Sequence, residues 1–453
     1  MSRRWFGTDG IRGVANVTLT PELAMRVARA TTRVLTEAGA ARILVGRDTR
    51  ASGSLLQAAV GAGIAAEGGT AYLAGIIPTP GMSRLVAAGE YDGGIIISAS
   101  HNPYRENGLK VIGPEGKKLS DAREARIEAV MAELEGAAAP RATATGAPDD
   151  PPIGDIVHVE ESSAHYVDDL LGRLEVDLSG LRILLDCANG ATYRVAPVAF
   201  RAAGAYVEVL CDRPDGRNIN EGCGSTHLGL LSGRMEQGTF DLGLAFDGDG
   251  DRVLAVDASG REVNGDRIMT ILASSLAKEA KLKENTLVVT GMSNLGLHRA
   301  MFEAGIEVEI TDVGDRCLLE RMEQTGAVLG GEQSGHIIYL EAGVTGDGMQ
   351  TGLLLAEVLK HSGSSLADLA DGMKEYPRVL LDVSVGDKSR LADSQAVWEA
   401  VRSEERDLGD EGRIFLRPSS TDSLVRVMVE ARTRERCEDV ANRLADTVKS
   451  ALV

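Results

Sequence analysis

Residues 201–210 read RAAGAYVEVL, and the fold class follows from how that stretch is built. A helical segment stops at Gly204, where a position just past a helix end calls for the positive φ that glycine adopts cheaply. The β-branched run after it reads as a buried strand. The pattern returns as EAGAARILVG (37–46), AEGGTAYLAG (66–75) and EAGIEVEITD (303–312). Strands alternating with amphipathic helices build βαβ units and a largely parallel sheet. Recurrence in three separated regions predicts three similar α/β domains.

Working outward, the seams are visible as losses of periodicity. Residues 136–153, GAAAPRATATGAPDDPPI, lack any repeat and read as a loop or linker. DASGREVNGD (257–266) reads as a hairpin. Beyond residues 372–377 the pattern turns strand-rich, in VLLDVSVGD (379–387), IFLRPSS (414–420) and LVRVMVEA (424–431), closed by a helix from about Arg436. This predicts a smaller C-terminal α+β domain. The expected division is 1–150, 151–256, 257–372 and 373–453.

Composition narrows the chemistry. The chain has 453 residues, 43% hydrophobic and 25% charged, which is a globular composition long enough for several domains. A net charge of −19 and only 4% aromatic residues disfavour nucleic acid and anionic membrane as partners. An anionic substrate would need a local basic site inside an acidic molecule. The N-terminal stretch lacks an apolar signal region, and no run reaches the ~18 apolar residues of a membrane helix. The five cysteines are scattered without a CxxC, so they read as small buried hydrophobes of a cytoplasmic protein.

Four constellations carry chemistry. In IIISASHNP (95–103) a buried strand ends in small polar residues, where open α/β sheets place ligands. Ser98 and Ser100 are both candidate nucleophiles, and alternation does not choose between them. In LAFDGDGDR (244–252), Asp247, Asp249 and Asp251 follow a hydrophobic strand. Extended backbone would send all three carboxylates one way. Their mutual repulsion is relieved by a divalent cation, and hard oxygen donors favour Mg²⁺. An EF-hand is excluded, because its sixth position would be Arg252 and its twelfth Ala258. GGEQSGH (330–336) offers a carboxylate, an amide, a hydroxyl and an imidazole to a polyhydroxylated ligand. RPSSTDS (417–423) sets an arginine fork beside hydroxyls and backbone N–H groups, a cradle for phosphate.

In this order FGTDGIRG (6–13), SASHNP (98–103), FDGDGDR (246–252), GGEQSGH (330–336) and RPSSTDS (417–423) resemble the α-D-phosphohexomutase superfamily over nearly the whole chain. CGSTH (223–227), GMSNLGL (291–297), VGDR (313–316) and TGDGMQTG (345–352) are similar to its bacterial phosphoglucosamine mutase branch. The phosphomannomutase/phosphoglucomutase branch is the nearest alternative. The resemblance implies four domains around a central cleft, three of them α/β and the last smaller. It implies a phosphoserine at Ser100, and one Mg²⁺ held by Asp247, Asp249, Asp251 and an oxygen on Ser100. Glu332 and Ser334 would hold sugar hydroxyls. Arg417, Ser419, Ser420 and Thr421 would hold the phosphate that is not transferred.

Arg12, Lys110, Arg252 and His336 match positions near the reacting group, with Lys110 and His336 as proton-transfer candidates. The implied reaction converts glucosamine 6-phosphate to glucosamine 1-phosphate, with glucose or glucosamine 1,6-bisphosphate as activator and a phosphosugar as the only ligand class. A homodimer is one open assembly. Ser420, Asp422 and Ser423 depart from the family's Gly, Glu and Pro. A serine at 420 is strained if that position needs positive φ. Two other readings are an aspartate-dependent phosphatase with Asp247 as nucleophile and a non-catalytic sugar-phosphate or metal sensor.

Overall fold

The structure is a computed structural model that describes residues 4–7, 9–35, 40–136, 153–419 and 423–452. It divides into two compact units. One comprises Met1–Met292 and Ile306–Ala370, the other Ser293–Gly305 and Asp371–Val453.

The first unit contains three mixed sheets. The six-stranded sheet runs, from one edge to the other, Ile11–Val14, Glu106–Ile112, Gly93–Ile97, Arg42–Arg47, Thr70–Ile76 and Ile156–His158. Its last four strands are parallel, and its first two join antiparallel. The five-stranded sheet sets Leu242–Phe246, Arg182–Asp186 and Tyr206–Leu210 parallel. Val253–Val256 and Glu262–Val263 extend it antiparallel. That last pair is the expected hairpin. The four-stranded sheet has parallel Glu307–Thr311, Thr286–Thr290 and Leu329–Gly331, with antiparallel Ile337–Tyr339 at its edge.

The glycine signals hold where the structure describes them: Gly68, Gly204 and Gly305 have φ of 80°, 98° and 71°, and each precedes a strand. Gly39 and most of the 136–153 linker lie outside the described residues. The central strands Gly93–Ile97, Leu242–Phe246 and Thr286–Thr290 are buried along their full length, which explains why they show no alternation of apolar and charged residues. In the first sheet the helices Pro21–Leu35 and Gly53–Ala65 pack together. Glu67 ties them, accepting from Arg29 Nε and Arg33 Nε at 2.6 Å each.

The second unit is smaller. Its antiparallel sheet has the order Arg378–Ser384, Leu424–Ala431, Gly412–Pro418. Helices Gln395–Leu408 and Arg434–Ala451 pack with it around Val397, Val401, Val427, Val440 and Leu444. Helix Leu295–Glu303 belongs to this unit for a visible reason. The fully buried Glu430 accepts from the Leu295 N–H at 2.9 Å and from Asn294 Nδ2 at 3.2 Å, and it pairs with Arg378 and Arg413.

Candidate active site

Three strand ends of the first unit meet at Ser100. Strand Gly93–Ile97 runs out into Ser98-Ala99-Ser100, and the chain leaves extended geometry there: Ser100 has φ of 50°. A side chain in that left-handed region costs about 1–2 kcal/mol, so the surroundings must hold it. They do so through Arg50, whose buried guanidinium donates to the carbonyls of Ser100 at 2.9 Å, Asn102 at 2.8 Å, Pro103 at 2.5 Å and Glu106 at 3.0 Å. Asn220 Nδ2 adds donations to the Ser100 and Asn102 carbonyls at 2.9 and 3.2 Å. Arg50 is itself paired with buried Asp48 at 2.9 Å.

The two serines are thereby separated. Ser98 Oγ donates to Asp48 Oδ2 at 2.6 Å and accepts from the Ser100 N–H at 3.0 Å, so it is committed to the turn. Ser100 Oγ donates to Asp247 Oδ2 at 2.5 Å and lies 3.2 Å from His101 Nδ1. Burial and the Arg252 charge push the His101 imidazole down to about 4, so it is neutral at physiological pH.

The three aspartates converge where the chain curls at the glycines between them. Residues 247–251 form a turn, with Gly250 at φ of 74°. Gly248 approaches the serine turn so closely that a Cβ would lie 2.5 Å from the Ser100 carbonyl oxygen. The carboxylates of Asp247, Asp249 and Asp251 are all buried, and one oxygen of each lies within 4.8 Å of the others. Oδ1 of Asp249 and Oδ1 of Asp251 receive no hydrogen bond from the described residues. Buried carboxylate oxygens without donors, in an all-oxygen set, fit a hard divalent cation. Burial and the Asp251 and Asp249 charges push Asp247 well above the usual carboxylate range. Asp249 is held below it, against burial, by the Lys110 ammonium.

Cations surround this acidic centre. Lys110 projects from strand Glu106–Ile112 and lies 3.0 Å from Asp249, 3.2 Å from Asp9 and 3.8 Å from Asp251. Although burial opposes its charge, these carboxylates hold it well above its ordinary value. Arg12 pairs with Asp9 and donates to Asn102 Oδ1 at 3.3 Å. Arg252 lies 3.8 Å from Asp251.

The GGEQSGH loop reaches the same centre. Glu332 N–H donates to the His336 carbonyl at 2.9 Å, and Ser334 Oγ donates to Glu332 Oε2 at 3.0 Å. The Val253 N–H donates to the Gly335 carbonyl at 3.1 Å, joining the loop to the strand that follows the triad. Fully buried His336 accepts the Gly346 N–H on Nε2 at 3.2 Å, and its Nδ1 lies 3.7 Å from Asp251.

The structure therefore brings together Arg12, Ser100, Lys110, Asp247, Asp249, Asp251, Arg252 and His336, with Glu332 and Ser334 on the adjoining loop. In the second unit, Arg417 is the next-to-last residue of strand Gly412–Pro418, and the Ser419 N–H donates to the Leu424 carbonyl at 2.9 Å. Ser420 and Thr421 lie outside the described residues, as does the strain expected at 420. Sequence reading missed Asp9, Asp48, Arg50, Thr79 and Asn220. Thr79 Oγ1 donates to Asp249 Oδ2 at 2.6 Å. The signal that could have found Asp48 and Arg50 is RDTR (47–50), a charged cluster closing a buried strand.

The chain matches four family models in order. These are phosphoglucomutase/phosphomannomutase alpha/beta/alpha domain I over residues 3–137, domain II over 164–260, domain III over 264–376 and the C-terminal domain over 380–447. Phosphoglucosamine mutase of Desulforamulus reducens is 48% identical over 444 residues, covering 98% of each chain. That of Mycolicibacterium gilvum is 49% identical over 450 residues, covering 99% of each.

Among solved structures, a phosphoglucomutase/phosphomannomutase family protein from Burkholderia thailandensis has a TM-score of 0.81 at 23% identity, covering 99% of this chain and 98% of that one. Aspergillus fumigatus N-acetylphosphoglucosamine mutase in complex with GlcNAc-6P and magnesium has a TM-score of 0.67 at 17% identity, covering 100% of this chain and 96% of that one. These two likenesses concern the fold. With all four domain models matched in sequence order and full-length relatives near half identity, the chain belongs to the phosphoglucomutase/phosphomannomutase family.

Proposed function

We propose that this protein interconverts glucosamine 6-phosphate and glucosamine 1-phosphate through a phosphoserine at Ser100 and a 1,6-bisphosphate. The observation that carries the reading is the Ser100 hydroxyl, held on a strained turn 2.5 Å from a carboxylate oxygen of a buried aspartate triad. The choice of hexosamine rests on full-length relatives named phosphoglucosamine mutase.

The phosphoryl group leaves Ser100 Oγ for the free 1- or 6-oxygen of the sugar. The Lys110 ammonium gives a proton to the departing Oγ and is restored by the proton of the sugar hydroxyl, with His336 as the second proton-transfer candidate. The bisphosphate then reverses within the site, and its other phosphate returns to Ser100. Asp247, Asp249, Asp251 and an oxygen on Ser100 would hold Mg²⁺, which supplies positive charge to the transferring phosphoryl. Arg12 and Arg252 offset the same charge from the side-chain shell. Glu332 and Ser334 orient sugar hydroxyls, while Arg417, Ser419, Ser420 and Thr421 hold the phosphate that is not being transferred. Glucose or glucosamine 1,6-bisphosphate would charge an unphosphorylated Ser100. The same reading carries four domains, with Ile156–His158 at the edge of the first sheet and Glu262–Val263 at the edge of the second, a cytoplasmic setting, and a homodimer as one open assembly.

The test combines turnover with the site of phosphorylation. Glucosamine 6-phosphate should be isomerised faster than glucose or mannose 6-phosphate, and a fraction of molecules should carry one phosphate at Ser100. Ser100→Ala should abolish both while leaving the circular dichroism spectrum unchanged. Phosphate on Asp247, labile to hydroxylamine, or full activity in Ser100→Ala would overturn the reading. Faster turnover of glucose or mannose phosphate would overturn the assigned sugar.

A further inference from the structure

Away from the aspartate triad, a second cluster joins reactive groups that the reaction does not use. Asp186 ends the strand Arg182–Asp186, and Cys211 directly follows the parallel neighbour Tyr206–Leu210. Cys223 closes the loop that Cys211 opens. One carboxylate oxygen of Asp186 and the two sulfurs lie within 4.8 Å of one another. Cys211 is half-buried, within reach of a small molecule, whereas Cys223 is only 1% exposed.

The donor set argues against a metal. Both carboxylate oxygens of Asp186 are already committed to backbone, accepting from the Ala188 N–H at 2.9 Å and the Gly224 N–H at 2.8 Å. What remains is a pair of thiols, one accessible and one shielded. That arrangement suits an entry thiol and a resolving thiol. The loop they bracket is braced against the serine turn. Its Asn220 donates to the carbonyls of Ser100 and Asn102, and its Gly216 carbonyl accepts the Ala51 N–H at 2.8 Å, next to Arg50.

We propose that Cys211 and Cys223 form a reversible disulfide, made by exchange with a low-molecular-weight disulfide, which resets the 211–223 loop and through Asn220 the Ser100 turn. The Cys211 thiol gives up its proton to solvent. The Cys211 thiolate then attacks one sulfur of the reagent, whose other sulfur leaves as a thiolate. The Cys223 thiol next loses its proton and attacks the Cys211 sulfur, expelling the second reagent thiolate. Both protons end on the two released thiols, so two cysteines are oxidised while one disulfide is reduced. Its hydrogen bond with Cys211 and its burial push the Cys223 thiol up, and with Cys223 shielded from solvent the half-buried Cys211 is the point of entry. Disulfides that form in a reducing compartment are usually transient and catalytic or redox-sensing, which this reversible pair matches.

The experiment exposes the full-length chain to glutathione disulfide and then to dithiothreitol. After the first step the intact mass should fall by two hydrogens without retained glutathione, and peptide mapping should join Cys211 to Cys223. Amide hydrogen exchange at residues 98–103 should change several-fold in the oxidised form and return on reduction. Cys211→Ser and Cys211→Ala should each abolish the link and the change in exchange. Five thiols that all remain alkylatable, a link through Cys187, a lasting glutathione adduct at Cys211, or a link that leaves residues 98–103 unchanged would each overturn the proposal. The loop's role rests on Ser100 as the reacting group. These readouts need no turnover, so a failure here is distinct from a failure of the mutase reading.

Discussion

Ser98 and Ser100 carry the same functional group two residues apart, and only the backbone tells them apart. Strand alternation fails as a guide because the strand ends at Ile97, before either serine: Ser100 at φ of 50° turns its hydroxyl to Asp247, while Ser98 is consumed by Asp48. The aspartate triad was legible because three carboxylates spaced by single glycines repel one another unless a cation lies among them. Asp48 and Arg50 were not, since a charged strand end ordinarily reads as a solvated turn, and their burial comes only from the packed fold. The triad supports a residue-scale prediction. Asp249→Asn removes one of the three carboxylate charges and the partner of Lys110 and Thr79. Mg²⁺ affinity measured by calorimetry should fall by at least roughly 10–100-fold, the loss already seen when a partner behind a metal ligand is removed. Unchanged affinity with a normal melting curve would mean that the triad is not the metal site.

At the scale of elements, the glycine-then-strand signal worked because it reports a local requirement that tertiary packing rarely overrides. Helix Gln395–Leu408 was not read: its apolar stripe is thin, with Val397, Val401 and Leu408 buried among charged neighbours, and the strands on either side carry the stronger pattern. Pairing across elements was also invisible, Glu67 being the clearest case. Against the burial that opposes its charge, hydrogen bonds from Arg33 and Arg29 hold its carboxyl below the ordinary glutamate value. Because the folded value is depressed, the bridge contributes its full stabilisation above about pH 4.5 and loses it as pH falls through the folded value. Glu67→Gln should therefore melt lower than the wild type near neutrality, with the gap closing progressively below about pH 4.5. Thermal melts across that range decide it, and a gap that widens in acid would refute the assignment.

For the whole molecule, the informative property is a contradiction resolved locally. A chain of net charge −19 gathers Arg12, Lys110 and Arg252 around one acidic centre. That is the local basic site an anionic substrate demands. The order of the motifs along the chain was legible throughout, since each sits at a strand end or in a short loop with distinctive chemistry. The pairings that hold those loops were not, because they join distant residues: Arg50 and Ser100 lie 50 positions apart, Asn220 and Ser100 120, and Thr79 and Asp249 170.

The proposed cycle makes its own demand at this scale, and Arg417 is where it can be tested. One anchor must hold the 6-phosphate in one half-reaction and the 1-phosphate in the other, because the bisphosphate reverses between them. Removing a charge-assisted hydrogen-bonding partner costs about 1.5–3 kcal/mol, or roughly 10- to 150-fold in rate. Arg417→Ala should lower kcat/KM by that factor in both directions alike, since a catalyst cannot move the overall equilibrium. A general loss of fold would also lower both rates, so the bisphosphate is the discriminating quantity. A weakened anchor fails while the intermediate is reversing, and the variant should release more free 1,6-bisphosphate per turnover than the wild type. Rates in both directions, with bisphosphate counted in the same samples, decide the matter. Slower turnover without added release would assign Arg417 to the stability of its strand, and unchanged rates would leave the loop a polar turn.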